Sequence, residues 1–130
     1  MKSLYAVLTA VAVSMLALPA AQAADVALGK ALVEKANCAA CHGAGLNHPI
    51  TPAYPKLAGQ YADYIYNALR AYQNGDSPVF GRDNPIMKAQ VLQSPAVTGK
   101  DGKPRPFTSA ELHDIAAYVA SLPGDLVTNK

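Results

Sequence analysis

The stretch Cys38-Ala39-Ala40-Cys41-His42 determines how the rest of the chain has to be arranged. Two thiols three positions apart are followed at once by an imidazole, and the 130-residue chain has no other cysteine. A zinc site needs four ligands, and only two further histidines are available to add to this group. A thioredoxin-type redox pair belongs beside a βαβ unit, and no strand pattern is visible. A disulfide inside the pentapeptide closes too short a loop to stabilise a fold, and it leaves the histidine without a role.

The pentapeptide instead has the C-x-x-C-H form by which c-type haem is attached. Each thiol adds to a vinyl group of the haem and becomes a thioether, and the spacing of Cys38 and Cys41 matches the two vinyl groups. His42 then supplies an imidazole nitrogen to the iron. We therefore predict one covalently held haem c, which also enlarges the thin core that so short a chain can form.

Residues 1–23 have the layout of a secretory signal peptide. A basic Lys2 precedes an uncharged apolar stretch from Leu4 to Leu18, and Ala21-Gln22-Ala23 supplies small side chains for the peptidase. The apolar stretch is short for a membrane span of about 20 residues. We predict cleavage after Ala23 and export to the periplasm. Cleavage would leave a single domain over 24–130 without a membrane span, and the alternative is an uncleaved N-terminal anchor. Export agrees with the pentapeptide, because haem is attached on the far side of the membrane.

Composition excludes two other classes of protein. Eleven Lys and Arg against nine Asp and Glu give a formal charge of only +2, which is too even for a protein that binds nucleic acid. Hydrophobic residues make up 51% of the chain, well outside the composition of disordered proteins.

The periodicity of the chain predicts an all-α fold, with three to four helices and long loops around one haem. The first helix is expected from Asp25, its N-cap, to about Ala36, with Leu28, Ala31, Leu32 and Lys35 on one stripe. Further helices are expected over about 60–73, 86–93 and 108–122, and Asn74-Gly75 is expected to end the first of these. Apolar residues recur at helical spacing in two of them: Tyr61, Tyr64, Ile65, Ala68, Leu69 and Tyr72 in the first, and Leu112, Ile115, Ala116, Val119 and Leu122, expected to be buried, in the last. The last begins with a capping box, Thr108-Ser109-Ala110-Glu111. The segments between them are rich in Gly and Pro, and residues 94–107 are expected to form an exposed basic loop or, alternatively, a small hairpin.

The sixth position on the iron separates a carrier from a catalyst or sensor. Met87 is the only methionine that remains after cleavage, and it follows a loop that ends at Pro85. We predict that Met87 is the distal ligand, with His48 or an open position as the alternatives. His48 is only six residues from His42, which leaves little chain to reach the other face of a haem. His113 falls on the polar face of the last helix and is expected to be solvated.

The chain resembles the small class I c-type cytochromes of the bacterial periplasm, and among them the single-haem and double-haem carriers, over nearly its whole mature length. The matching motifs are Cys38-x-x-Cys41-His42-Gly43, Pro55-Lys56-Leu57-Ala58-Gly59-Gln60, Asn84-Pro85-x-Met87 and Asp114-Ile115-Ala116-Ala117-Tyr118. The resemblance implies the cytochrome c fold, in which the first and last helices cross with Gly29 against Tyr118.

The resemblance also implies roles for residues outside the pentapeptide. The carbonyl of Pro55 would accept a hydrogen bond from the ring N–H of His42 and so orient it. Arg82 and Asn84 are candidates for contacts with the haem propionates or within the distal loop. The chain departs from the family pattern in the long stretch Val97–Phe107. We interpret this stretch as a solvated surface excursion, that is, a solvent-exposed loop; the alternative is a loop that docks a specific partner.

These observations predict a periplasmic electron carrier rather than an enzyme. The expected partners are redox proteins, namely a quinol-oxidising complex, a periplasmic dehydrogenase, and a terminal oxidase or reductase. The protein is expected to be a monomer that binds them transiently. Two alternatives remain at this point. One is a haem sensor or small-ligand binder with a labile sixth site, and the other is a permanent electron-transfer subunit of a dehydrogenase.

Overall fold

A computed structural model describes residues 23–125, so the predicted signal peptide lies outside the described residues except for Ala23. The elements, in chain order, are α1 (Val26–Lys35), α2 (Ala39–His42), α3 (Ala62–Asn74), α4 (Pro85–Leu92), β1 (Ser94–Thr98), β2 (Pro104–Arg105) and α5 (Ser109–Ser121). The mostly helical fold confirms the predicted class. In this part of the chain α2 is a single turn, and the sheet is one small two-stranded ribbon.

The helices begin where the sequence provides capping side chains. Asp25 Oδ1 accepts hydrogen bonds from the N–H groups of Ala27 and Leu28 at 2.9 and 3.0 Å. Thr108 and Glu111 form the predicted capping box at the start of α5. Such caps satisfy N–H groups that have no partner within the helix, so they fix the ends of the elements that carry the site.

Helices α1 and α5 cross in close contact at Gly29. A Cβ atom added there would lie 2.0 Å from the carbonyl oxygen of Asp114 and 3.0 Å from Cβ of Tyr118. The buried carboxylate of Asp114 also accepts a hydrogen bond from the backbone N–H of Asp25 at 2.7 Å. The crossing implied by the resemblance is therefore present, and it depends on the missing side chain of Gly29.

This crossing also corrects the predicted buried face of α1. The helix buries Gly29, Leu32 and Val33, whereas Leu28 is 45% exposed and Ala31 is exposed. The predicted stripe had the correct period but the wrong rotation about the helix axis. The backbone approach at Gly29 sets that rotation, because α5 can come close only on the side where no side chain intervenes.

Strands β1 and β2 form an irregular antiparallel ribbon in the long stretch before α5. Val97 and Phe107 are both buried in the core, and Ser94 is fully buried. The interpretation of Val97–Phe107 as a solvated excursion is therefore wrong at both ends, and only the tip at 100–104 is exposed throughout. The ends are covered because two large apolar side chains gain more by packing against the core than by remaining in water.

The core lies between α1, α3 and α5, with α4 and the ribbon closing one side. Its buried apolar members include Leu32, Ile65, Val91, Leu112, Ile115 and Val119. Within residues 23–125, no helix is long and apolar enough to cross a bilayer.

Candidate functional site

A cavity of about 350 Å³ opens into the core between α2, α3, α4 and α5, and its walls are mainly apolar. Six of the seven site residues predicted from the sequence line it: Cys38, Cys41, His42, Pro55, Arg82 and Met87. The seventh, Asn84, is not among the lining residues. The fold thus brings residues spread over fifty positions of sequence to one cavity.

The pentapeptide forms a tight turn at the wall of the cavity. The N–H of His42 donates to the carbonyl of Cys38 at 3.1 Å, which closes the turn of α2. Gly43 follows with φ +77°, and a Cβ there would lie 1.5 Å from the carbonyl oxygen of His48. Only glycine permits this conformation and this approach of the chain, so the residue after the histidine is fixed by local geometry.

The two thiols are free and partly exposed at the cavity. Burial raises the pKa of the Cys38 thiol to about 11, and the neighbouring Cys41 adds to the shift. Because neither thiol is in a disulfide and both are partly exposed, both are available for covalent attachment. No group of three or more His, Cys, Asp or Glu side chains within residues 23–125 is arranged to hold a metal ion, which gives the zinc interpretation no support.

The imidazole of His42 is buried, and its orientation is fixed. Its Nδ1 lies 2.8 Å from the carbonyl oxygen of Pro55. A carbonyl can only accept, so Nδ1 carries the proton, and Nε2 is left as the basic nitrogen that can bind a metal. The ring of Tyr54 lies edge-on to the imidazole at 6.3 Å between centroids.

Met87 lies in the first turn of α4, half-buried, and lines the same cavity as His42. The side chain of Asn84 caps this helix by accepting the N–H of Met87 at 3.0 Å, and Pro85 occupies the first helical turn. Asn84 therefore bonds to the backbone of Met87, and its contact with a propionate stays a prediction.

The other two histidines of the chain do not line the cavity. His48 is exposed, and its Nδ1 lies 3.2 Å from the carbonyl oxygen of Ala44. His113 is exposed on α5 and stacks on the ring of Tyr66, with 3.7 Å between centroids. Neither position favours these residues as ligands at the site.

Arg82 is held at the cavity by two tyrosines that the sequence reasoning did not assign to the site. Its guanidinium lies 5.5 and 5.6 Å from the ring centroids of Tyr64 and Tyr72, and it donates to the Tyr64 hydroxyl at 3.3 Å. Hydrogen bonding to Tyr64, followed by Tyr72, raises the pKa of Arg82. Both tyrosines lie on the apolar face predicted for α3, so a signal was present, but it indicated core packing rather than an arginine clamp.

Comparison with known proteins agrees with this geometry. The family model for cytochrome c matches residues 26–123. The chain belongs to the cytochrome c family. Its cofactor is accordingly haem c, held covalently, and electron transport is the role that membership supports.

Three relatives illustrate the range of this similarity. Cytochrome c4 of Stutzerimonas stutzeri is 35% identical over 107 residues, which cover 82% of this chain and 44% of the relative. The thiosulfate dehydrogenase electron acceptor of Thiomonas intermedia (strain K12) is 35% identical over 57% of this chain and 37% of its own length. Cytochrome c-554(548) of Halomonas halodenitrificans is 30% identical over 76% of this chain and 98% of the relative. The chain thus spans less than half the length of the first two.

The residues present fit haem c. Two free thiols at the spacing of the vinyl groups meet a mainly apolar cavity, and an imidazole with its Nδ1 already bonded lies beside them. The volume of this cavity already lies in the range of sites that bind cofactors. The site can therefore hold the haem through Cys38 and Cys41.

Proposed function

We propose that this chain is a periplasmic electron carrier in which His42 and Met87 are the axial ligands of one haem c. Cys38 and Cys41 form the thioethers, and residues 24–130 act as one domain after removal of residues 1–23. When bound, the haem supplies one-electron chemistry at its iron. The chain supplies attachment, two permanent ligands and an apolar enclosure.

The observation that carries this proposal is that an oriented imidazole and a thioether line one cavity together. His42 offers Nε2 because Nδ1 is bonded to Pro55, and Met87 lies on α4, a different element from α2. A thioether favours ferrous iron, so a Met/His pair raises the reduction potential. With both ligands supplied by the chain, little has to rearrange when one electron is gained or lost.

The surroundings of the cavity favour a carrier over an enzyme. Apart from Arg82 and Lys56, the side chains that line it are mainly apolar or aromatic, and two permanent ligands leave no position for a substrate. Arg82, held between Tyr64 and Tyr72, provides a fixed positive charge for a propionate. The partners are then redox proteins that approach the haem edge near Cys38. A quinol-oxidising complex, a periplasmic dehydrogenase, and a terminal oxidase or reductase fit this role for a monomeric carrier, and one relative is described as an electron acceptor of a dehydrogenase.

The distal ligand is the decisive test. In Met87→Ala the iron loses its soft ligand, so the potential should fall by on the order of 100 mV, and the sixth position should bind added imidazole. Potentiometric titration followed by visible absorption measures both effects. Met87→His should keep six ligands while still lowering the potential.

The two solvent-exposed histidines provide the matched controls. His48→Ala and His113→Ala should leave the spectrum and the potential unchanged, since neither residue lines the cavity. Loss of the distal ligand in His48→Ala with no effect of Met87→Ala would make the assignment wrong. Immediate binding of carbon monoxide by the reduced wild type would instead favour a sensor.

A further inference from the structure

The last turn of α5 and the chain that follows it lie against the loop that carries Pro55. The N–H of Gly59 donates to the carbonyl of Val119 at 3.1 Å, and Gly124 lies so close to Ala58 that an added Cβ would be 2.0 Å from its carbonyl oxygen. Such an approach requires glycine at position 124. Residues 122–125 are therefore in direct backbone contact with the loop next to the proximal histidine.

The segment ends on a carboxylate that binds two partners. Asp125 Oδ2 accepts a hydrogen bond from Nζ of Lys56, and Asp125 Oδ1 accepts one from Nδ2 of the buried Asn47. The bond from Lys56, followed by that from Asn47, lowers the pKa of Asp125 to about 2. The carboxylate is thus charged and doubly bonded over the physiological pH range.

The two partners belong to the two segments that flank the proximal hydrogen bond. Asn47 lies in the turn that follows His42, and Lys56 directly follows Pro55. The same segments are joined by the N–H groups of Leu57 and Ala58, which donate to the carbonyl of Leu46 at 2.8 and 3.2 Å. Asp125 therefore spans the two pieces of chain whose separation sets the distance from His42 Nδ1 to the Pro55 oxygen.

We propose that Asp125 is a positioning residue for the proximal ligand, acting through Asn47 and Lys56 to hold the Pro55 carbonyl on His42. The inference rests on the proposed role of His42 as an iron ligand. Asp125 itself lines no part of the cavity and does not contact His42; of its two partners, Lys56 lies at the cavity wall and Asn47 does not, so its effect on the redox site is exerted through the loop. The segment after α5 would thus help to set the reduction potential.

The direction of the effect follows from the chemistry of the imidazole. A hydrogen bond from Nδ1–H to a carbonyl increases the basicity of the ring as a ligand, and a more basic ligand stabilises ferric iron. Releasing the carbonyl should therefore raise the potential. It should also let the Nδ1 proton exchange faster with water, by about fivefold if roughly one hydrogen bond's net free energy is lost.

Variants of the three residues separate this mechanism from a simple effect of charge. Asp125→Ala removes a negative charge, so both the electrostatic effect and release of the Pro55 carbonyl would raise the potential. Removing a positive charge in Lys56→Met would lower it by electrostatics alone but raise it if the carbonyl is released. Asn47→Ala changes no charge, so only the positioning mechanism moves its potential. The exposed residues Asp76 and Lys100 provide controls with the same changes of charge, Asp76→Ala and Lys100→Met.

The experiment uses the full haem-bearing chain, with potentiometry and NMR of the His42 Nδ1 proton in the ferrous state. We expect all three variants to raise the potential and to accelerate the exchange, Asp125→Glu to recover part of both effects, and the two controls to match the wild type. Opposite shifts in Asp125→Ala and Lys56→Met, with Asn47→Ala unchanged, would overturn the proposal.

The same spectra separate failure of this inference from failure of the proposed function. If the wild-type resonances of His42 show no ligation to iron, the proposed ligand set is wrong. If His42 is ligated with a protected proton and the three variants match the wild type, the ligand set stands and the role of Asp125 is wrong.

Discussion

At the scale of single residues, the site combines donors that are neighbours along the chain with contacts between distant positions. The pentapeptide at 38–42 fixes the type of cofactor because its donors are neighbours along the chain. The tyrosine clamp on Arg82 and the bonds to Asp125 were not predicted. Asn47 and Asp125 are 78 positions apart, and no local pattern indicates that they meet. Only the packing of α5 brings them together.

Gly29 gives a residue-scale prediction about stability. In Gly29→Ala the added Cβ would lie 2.0 Å from the carbonyl oxygen of Asp114, so α1 and α5 must move apart. We expect the free energy of unfolding to fall by about 3 kcal/mol, as for severe overpacking, even though alanine is the better helix former. Chemical denaturation followed by circular dichroism measures the change.

The exposed Lys30, the next residue in the same helix, serves as the control. Its ion pair with Glu34 at 3.8 Å joins two exposed side chains, so Lys30→Ala should change the stability by less than about 0.5 kcal/mol. A Gly29→Ala protein as stable as the wild type would show that the crossing is not tightly packed.

At the scale of elements, the helix ends were predictable, whereas a small hairpin over 94–107 was only an alternative to a loop and its strands were not predicted. Asp25, Gly75 and the capping box at Thr108 mark their boundaries with side-chain or backbone chemistry that acts within a few residues. The strand Ser94–Thr98 has no strict alternation of apolar and polar residues, and it pairs with only two residues through an irregular register. Its existence depends on contacts with the core rather than on its own pattern.

The start of α5 gives an element-scale prediction about pH. Arg105 donates to both carboxylate oxygens of Glu111 at 2.8 Å, and these bonds, with smaller ones from Thr108, lower the pKa of Glu111 to about 2. A pKa depressed in the folded state contributes stability above the ordinary value near 4.5. That contribution is lost as the pH falls from there towards 2.

We therefore expect Glu111→Gln to lower the free energy of unfolding by about 1–2 kcal/mol at pH 7, with the difference from the wild type vanishing near pH 2. Urea denaturation at a series of pH values measures this. Glu34→Gln, which alters an exposed ion pair on α1, should show little difference at any pH. A constant difference for Glu111→Gln from pH 7 to pH 2 would mean that charge has no part in the effect.

At the scale of the whole molecule, the core and the functional site are one structure. Many of the side chains that form the apolar core also line the cavity, among them Ile65, Val91, Leu112, Ile115 and Val119. The sequence predicted most of these residues as buried because they follow helical periodicity. It could not show that one side of the core faces a cavity, since periodicity gives a buried face but not what that face contacts.

This shared wall leads to a prediction about folding as a whole. If haem forms one wall of the core, a chain that cannot attach it must leave these apolar side chains exposed or collapse around the cavity. In Cys38→Ala/Cys41→Ala, produced in a host competent for attachment, haem should be lost on extraction with acidic acetone. A separate sample of the haem-free variant, purified without extraction, should show reduced helix content, bind a hydrophobic dye such as ANS, and unfold without a cooperative transition.

The single variants test whether one thioether is enough. Cys38→Ala and Cys41→Ala should each keep a haem that survives extraction, since one covalent bond remains, and both should unfold cooperatively at lower denaturant concentration than the wild type. The double variant differs from them only in covalent attachment, because every other lining residue is unchanged. A double variant that is as helical and cooperative as the wild type would show that the polypeptide forms a stable core without attached haem. The cavity would then be a preformed binding site and not a part of the core that haem completes.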